Sequence, residues 1–325
     1  MTSEEPEVAQ DDDARPTTAR ARWVRLAGRL VAVVAVALCV WTVVTQWDRI
    51  SADLRSADLT LLAVALLVSA LAGLVLATAW WYCLRIVGHG RAVNDVLAWY
   101  FGGEIGKYLP GGIWAIVGRG ELSVRGGIDR RTSYASTLLS LGAIVVSGGW
   151  FCGVVGPLAV ALGDAPTWVA WFALALPLGA ALLHPRVVGL GLRLMHVALR
   201  GDRMLTVPSW GAMCRLTVLT LPSWLFVGGA SVLVTASLGY EQSAAAVSMA
   251  AVAAWTVGIV AVPVPAGAGL REIVFAALCG LGAAPGVIVA TVSRLLYVLV
   301  DGAAALVAFS YLRRRARPVT TEEQT

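Results

Sequence analysis

Apolar runs of about 20 residues recur along nearly the whole chain, and about that length of helix is needed to cross a hydrocarbon core of about 30 Å. No other feature of the sequence restricts the fold as strongly. Of its 325 residues, 58% are hydrophobic and only 14% are charged, against about 25% in an average soluble domain. The mean hydropathy is +0.76, so water is not the solvent for most of this surface. A β-barrel would show alternating segments of about 10 residues, and the sequence has none. The pattern predicts an all-α polytopic membrane protein.

Charge then orients the chain. The formal charge of +5 comes from arginines in short loops and tails, where they act as topology signals rather than as a nucleic-acid footprint. Residues 1–22 carry Glu4, Glu5, Glu7 and Asp11-Asp12-Asp13 without an apolar core, and are expected to form a disordered cytoplasmic tail. The run that follows is too long, and too aromatic at Trp41 and Trp47, for a signal peptide. Residues 23–315 form the expected membrane domain and 316–325 a second cytoplasmic tail. Cys39, Cys83, Cys152, Cys214 and Cys279, like His89, His184 and His196, are dispersed, so no disulfide framework, metal site or cofactor is expected.

The first span is read as Leu26 to Trp47, behind Arg15, Arg20, Arg22 and Arg25, which puts the N-terminus inside. A second, from about Leu59 to Ile86, returns to Arg85 and Arg91. Val93 to Gly118 is apolar but broken at Pro110, Gly111 and Gly112, with arginines on both flanks. It is read as a re-entrant hairpin entering from the cytoplasm, a kinked full span being the alternative. Two more spans, Ser133 to Val155 and Trp168 to Leu183, lead to an amphipathic stretch between Arg186 and Arg203, either a surface helix or a solvated connector. After a span from Trp210 to Leu238, the segment Ala244 to Gly282 is broken at Pro263, Pro265, Gly267 and Gly269 and should enter from outside. The last span, Val287 to Leu312, ends at Arg313, Arg314, Arg315 and Arg317, so both termini are expected in the cytoplasm.

The order span, span, broken hairpin, span thus occurs twice, over about 26–155 and 168–312, the second copy running in the opposite direction. This gives six full transmembrane helices plus two re-entrant hairpins in an inverted repeat, or eight transmembrane helices if both breaks are kinks. Broken segments in corresponding halves point to a transport site, because freed backbone groups and half-helix ends can hold a substrate there.

Charges flank both breaks: Glu104, Lys107 and Arg119 at the first, Arg271 and Glu272 at the second. Ionisable groups at membrane depth cost about 2.5 to 3.5 kcal/mol each on translocon scales, so these are candidates for binding a lipid head group. Arg271, at a half-helix start, is the first choice for a phosphate, since a helix N-terminus and a guanidinium fork both suit its oxygens. The alternative is mutual neutralisation: Glu104 with Lys107 at i and i+3, and Arg271 with Glu104 or Asp301. Arg294, Tyr297 and Asp301 share one face of the last span; they line the cleft, or else Arg294 snorkels to the outer surface. Gly148-Gly149 and Gly228-Gly229 read as helix-packing surfaces, and Trp47, Trp168 and Trp210 as an interfacial belt.

Gly106-Lys107-Tyr108-Leu109-Pro110-Gly111-Gly112 with Arg119 downstream is similar to a Y-L-P-G block followed by arginine. Pro263 to Glu272 resembles a P-x-P-x-G-x-G-x-x-E block, and Arg294 with Tyr297 an R-x-x-Y stretch. In this order, over roughly Ala27 to Leu312, these blocks resemble the lysylphosphatidylglycerol synthase transmembrane-region family, also described as flippase-like. The resemblance implies a membrane domain that moves or presents a lipid, aminoacylated phosphatidylglycerol in some members and polyprenyl- or sugar-linked lipids in others. Ala266 and Ala268 stand where members often have glycine. Only 13 residues follow Leu312, so the aminoacyl-transferase domain of the full-length synthases is expected to be absent.

The leading expectation is a lipid translocase of the cytoplasmic membrane, moving a phospholipid, an aminoacyl-phospholipid or a lipid-linked sugar, with a lipid-modifying enzyme or glycosyltransferase as a partner. The alternatives are a membrane-embedded enzyme and an accessory subunit in envelope synthesis. No catalytic constellation is found in the short external loops.

Overall fold

The protein is described by a computed structural model, which covers residues 51, 55–108, 113–198, 206–261 and 269–316. The acidic N-terminal tail, the span Leu26 to Trp47, the break residues Pro110, Gly111, Gly112, Pro263, Pro265 and Gly267, and the tail from Arg317 lie outside the described residues.

Every regular element among the described residues is helical. In order they are α1 (Leu59–Ile86), α2 (Val93–Glu104), a 3₁₀ turn (Ile105–Tyr108), α3 (Trp114–Arg125), α4 (Arg130–Ala161), a 3₁₀ helix (Thr167–Leu174), α5 (Ala175–Leu182), α6 (Pro185–Ala198), α7 (Trp210–Ser237), α8 (Ala244–Val260), α9 (Leu270–Leu278) and α10 (Ala283–Ala316). Local chemistry sets several starts. Asp58 accepts from the Thr60 amide at 2.8 Å ahead of α1, Asp129 from the Thr132 amide at 3.1 Å ahead of α4, and Ser209 from the Ala212 amide at 3.3 Å ahead of α7.

Among the described residues four helices, α1, α4, α7 and α10, are long and apolar enough to cross a membrane, or five spans if the bent pair of residues 167–195 is one. Their outer faces are apolar: Leu67, Leu225, Leu306 and Val307 expose 67%, 63%, 72% and 71% of their surface. In water such surfaces would drive association; in a bilayer they meet a solvent of their own kind. The chain is an all-α polytopic membrane protein.

The helices α4 and α10 run beyond the expected spans, through Arg130 to Thr132 at one start and Arg313 to Arg315 at the other end. Hydropathy stops at the first charged residue, whereas backbone hydrogen bonding does not, and basic residues in a last turn suit the helix dipole. The expected fourth span departs from an α-helix: it begins as eight 3₁₀ residues and continues as eight α residues. Pro177 explains the change of winding. It lacks an amide hydrogen, and starting α5 at Ala175 keeps it in the first turn, where no donor is needed. At about 2.0 Å per 3₁₀ residue and about 1.5 Å per α residue, this span is about 28 Å long. It then bends by 67° into α6. Along α6, Leu190, Leu194 and Val197 are exposed on one face while Leu192 is buried, so the amphipathic stretch is a helix as far as Ala198, and its last residues lie outside the described ones.

Both broken segments turn back on themselves. In the first, Arg91 ahead of α2 donates to the Gly127 carbonyl beyond α3 at 2.6 Å, so the two ends abut. In the second, Gly280 beyond α9 lies against the Gln242 amide just ahead of α8. They open toward opposite ends of the bundle. Asp95 at the start of α2 accepts from Tyr311 and Arg315 at the C-terminal end of α10, each at 2.9 Å, whereas Gly280 directly precedes the N-terminal end of that helix.

The packing comes in matched pairs. α1 and α7 form the most extensive pair, antiparallel, with the Asp58 amide donating to the Ser237 carbonyl at 2.9 Å. Around them α2 packs on α10 as α8 packs on α4, and α3 on α4 as α9 on α10. Each hairpin is therefore held by the last long helix of the other half. A polar seam joins α4 to α7, where the Ser147 hydroxyl accepts from Thr220 at 2.7 Å and from Trp224 Nε1 at 2.8 Å.

Candidate functional site: a charged cavity between the two hairpins

Close backbone approach brings the arms of each hairpin together. A Cβ on Gly103 would lie 2.6 Å from the Arg119 amide nitrogen, so only glycine lets α2 and α3 touch there. Gly258 plays the matching part in α8, where any Cβ would collide with the Arg271 side chain. Each glycine thus seats an arginine from the opposite arm. Gly269, with φ at 81°, turns the chain into α9 and places Arg271 in its first turn.

The charged residues form two groups. In the first, Glu104 takes Lys107 at 3.1 Å and Arg119 on its other oxygen, while Lys107 also reaches Asp301 of α10 at 2.7 Å. Tyr108 donates to Asp301 at 2.5 Å. The Arg119 guanidinium sits 4.1 Å from the Tyr100 ring centroid and 5.7 Å from that of Trp80, with Nε and one terminal nitrogen lacking hydrogen-bond partners. In the second, Arg294 of α10 holds Glu272 at 2.8 Å, while the other Glu272 oxygen is buried without a partner. Arg294 is turned inward rather than snorkelled.

Arg271 belongs to neither group. Among the described residues it has no ion pair; its guanidinium lies 4.0 Å over the Trp255 ring, and its Nε is buried without a hydrogen bond. Neutralisation by Glu104 or Asp301 does not occur, because Lys107 and Arg119 already hold those carboxylates. Trp255 also has Lys107 at 5.6 Å and packs edge-on against Tyr297 at 4.9 Å.

Two cavities meet here. The larger, of about 150 Å³, is lined by Glu104, Arg119, Ser69, Tyr100, Trp224 and Asp301 among others; the smaller, of about 40 Å³, by Tyr108, Glu272, Ser293 and Arg294. Lys107, Trp255, Arg271 and Tyr297 line both.

The eight residues named from the sequence therefore converge on one site. What sequence reasoning missed is Trp255, Tyr108 as a ligand of Asp301, and Ser293, whose hydroxyl is buried without a partner. Trp255 had one signal: a single aromatic ring in a run of small and aliphatic residues. The glycine pairs divide. Gly148 packs against Thr256 and Trp224, and Gly228 against Ser248, while Gly149 makes one ordinary contact and Gly229 faces open space. Trp168 and Trp210 are about half exposed near helix starts; Trp47 lies outside the described residues.

No curated protein matches the chain. Residues 29–305 nevertheless match the family described as Lysylphosphatidylglycerol synthase TM region, a membrane domain associated with lipid handling, and the chain belongs to that family.

Proposed function

We propose that the protein is a lipid translocase of the cytoplasmic membrane, carrying a phospholipid, an aminoacyl-phospholipid or a lipid-linked sugar between leaflets. The observation behind this reading is the placement, among the described residues, of seven charged side chains around a cavity inside a bundle whose exterior is apolar. Charge at that depth is expensive unless paired or facing a polar space, and a lipid head group passing through would supply such a space with a use. The tails would stay in the bilayer while the head crosses between the hairpins. Arg271, Glu272, Glu104, Lys107, Arg119, Arg294, Tyr297 and Asp301 are the residues assigned to the head group.

The two halves act as an inverted repeat, with one hairpin opening to each side and both termini in the cytoplasm. Rocking of α4 against α8 and of α10 against α2 would expose the cavity alternately. A lipid-modifying enzyme or a glycosyltransferase would supply or consume the lipid. The test is reconstitution of the full chain in liposomes with acyl-labelled lipids in both leaflets, followed by a membrane-impermeant quencher. Loss of signal beyond the outer-leaflet fraction is expected with the protein and not with Arg271→Ala; equal quenching of empty and loaded liposomes across a broad lipid panel would sink the reading.

A further inference from the structure

We infer that the head group accepted by this cavity carries a single negative charge, on a phosphate diester, and presents hydroxyls rather than an ammonium. The inference rests on the translocation reading and narrows its substrate. Its basis is the charge around the cavity. Among the described residues, four cations, Lys107, Arg119, Arg271 and Arg294, face three carboxylates, Glu104, Glu272 and Asp301, which leaves one positive charge in excess. The excess is located. Glu104 and Asp301 share Lys107, Arg119 takes the rest of Glu104, and Arg294 takes Glu272, so among the described residues the uncompensated cation is Arg271.

Arg271 is also held ready for an anion. Its face is stacked on Trp255, Gly258 receives its aliphatic edge, and the side chain lines both cavities. It stands in the first turn of α9, where helix amides and the positive dipole end reinforce attraction for phosphate. A diester oxygen pair matches the guanidinium fork, and one negative charge brings the cavity to neutrality.

Beside Arg119 and the Tyr297 hydroxyl, which line the larger cavity and also have unpartnered polar atoms, two unpartnered groups at the smaller one describe what the phosphate is attached to. Glu272 Oε2 accepts and the Ser293 hydroxyl both donates and accepts; both are buried without partners beside the smaller cavity. Such a pair suits a hydroxyl of a glycerol or sugar. An aminoacyl head group carrying two ammonium groups would instead raise the positive excess, with Glu104 engaged on both oxygens and Asp301 and Glu272 each already holding a cation. A phosphoglycerol and a polyprenyl-linked phosphosugar share the required chemistry, and the test separates them.

The full chain is reconstituted in phosphatidylcholine vesicles with acyl-labelled phosphatidylglycerol, phosphatidylethanolamine, lysyl-phosphatidylglycerol or a polyprenyl phosphosugar as tracer. Phosphatidylglycerol, the phosphosugar or both are expected to cross at least about tenfold faster than the zwitterionic and cationic tracers. Whichever of the two crosses faster identifies the source. Arg271→Gln should abolish the preference and Arg271→Lys retain part of it. Since either variant could misfold, the unmutated chain is also melted with short-chain phosphatidylglycerol and short-chain phosphatidylcholine, and only the former is expected to raise the Tm. Equal crossing of all four tracers, or faster crossing of the cationic one, overturns the charge assignment while leaving translocation standing. Crossing of none overturns translocation and this inference together.

Discussion

Lys107 Nζ lies 2.7 Å from Asp301 Oδ2, which ties the inner end of the first hairpin to the middle of α10. Both side chains are largely buried, and Lys107 bridges Asp301 to Glu104. Removing the cation would leave Asp301 with only the Tyr108 hydroxyl. Lys107→Met is therefore expected to destabilise by about 3–5 kcal/mol, as breaking a buried pair does. Lys107→Met with Asp301→Asn should cost clearly less than Lys107→Met alone, since the stranded charge is gone. Thermal unfolding of the detergent-purified single and double variants measures the coupling. Additive losses would mean that the bridge contributes nothing specific.

The hairpin arms supply a steric prediction. Gly103 meets the Arg119 backbone too closely for a Cβ, whereas Gly229 faces open space. Gly103→Ala is expected to lower stability by about 1–3 kcal/mol through forced separation of α2 and α3. Gly229→Ala should be neutral or stabilise by up to about 1 kcal/mol, because alanine is the better helix former. Tm values of the two variants, measured side by side, decide the matter: a loss of equal size at both positions would remove the close approach as its cause.

Much of this arrangement is legible in the sequence, and the limits have physical causes. Hydropathy locates α1, α4, α7 and α10 because the bilayer fixes a minimum apolar length. Clustered proline and glycine mark the two hairpins, because together they remove backbone donors and lower helix propensity, whereas single prolines such as Pro157 and Pro222 are carried inside α4 and α7. Seven-residue spacing puts Arg294 and Asp301 on one helical face. It does not say which partner each would meet. Arg294 finds Glu272 and Asp301 finds Lys107 because α10 packs between α9 and α2, a relation set by tertiary packing. Trp255 escaped for the same reason: a tryptophan in an apolar run reads as core, and only the fold places a guanidinium on its face. The 3₁₀ start of the fourth span was hidden because hydropathy measures composition and is blind to winding.

Trp255 gives a prediction on function rather than folding. Its ring carries Arg271 at 4.0 Å, a contact worth about 0.5–2 kcal/mol depending on solvation. Trp255→Leu should release the guanidinium and reduce lipid crossing several-fold, while Trp255→Phe keeps a ring face and most of the rate. The quencher assay on both variants, at matched protein-to-lipid ratio, compares them. If leucine and phenylalanine behave alike, the stacking does not position Arg271.

The hairpins carry the last prediction, on topology. Arg91 reaches the Gly127 carbonyl at 2.6 Å, and Gly280 touches Gln242, so each broken segment starts and ends at one level of the bundle. Both segments are anchored to the two ends of α10, a 34-residue helix about 51 Å long, which exceeds the hydrocarbon thickness. Cysteines placed at Arg91 and Arg125 should therefore react with an impermeant maleimide from the same side of the membrane, and one at Glu241 from the other. With the arginine-rich end of α10 inside, the first two should be reached from the cytoplasm. Four native cysteines, Cys83, Cys152, Cys214 and Cys279, are free thiols among the described residues, and Cys39 lies outside them, so all five are replaced by serine or alanine in the background chain. Labelling of Arg91→Cys and Arg125→Cys from opposite sides would turn the first hairpin into a crossing segment, reverse the orientation of every helix after it, and remove the inverted relation on which alternate opening depends.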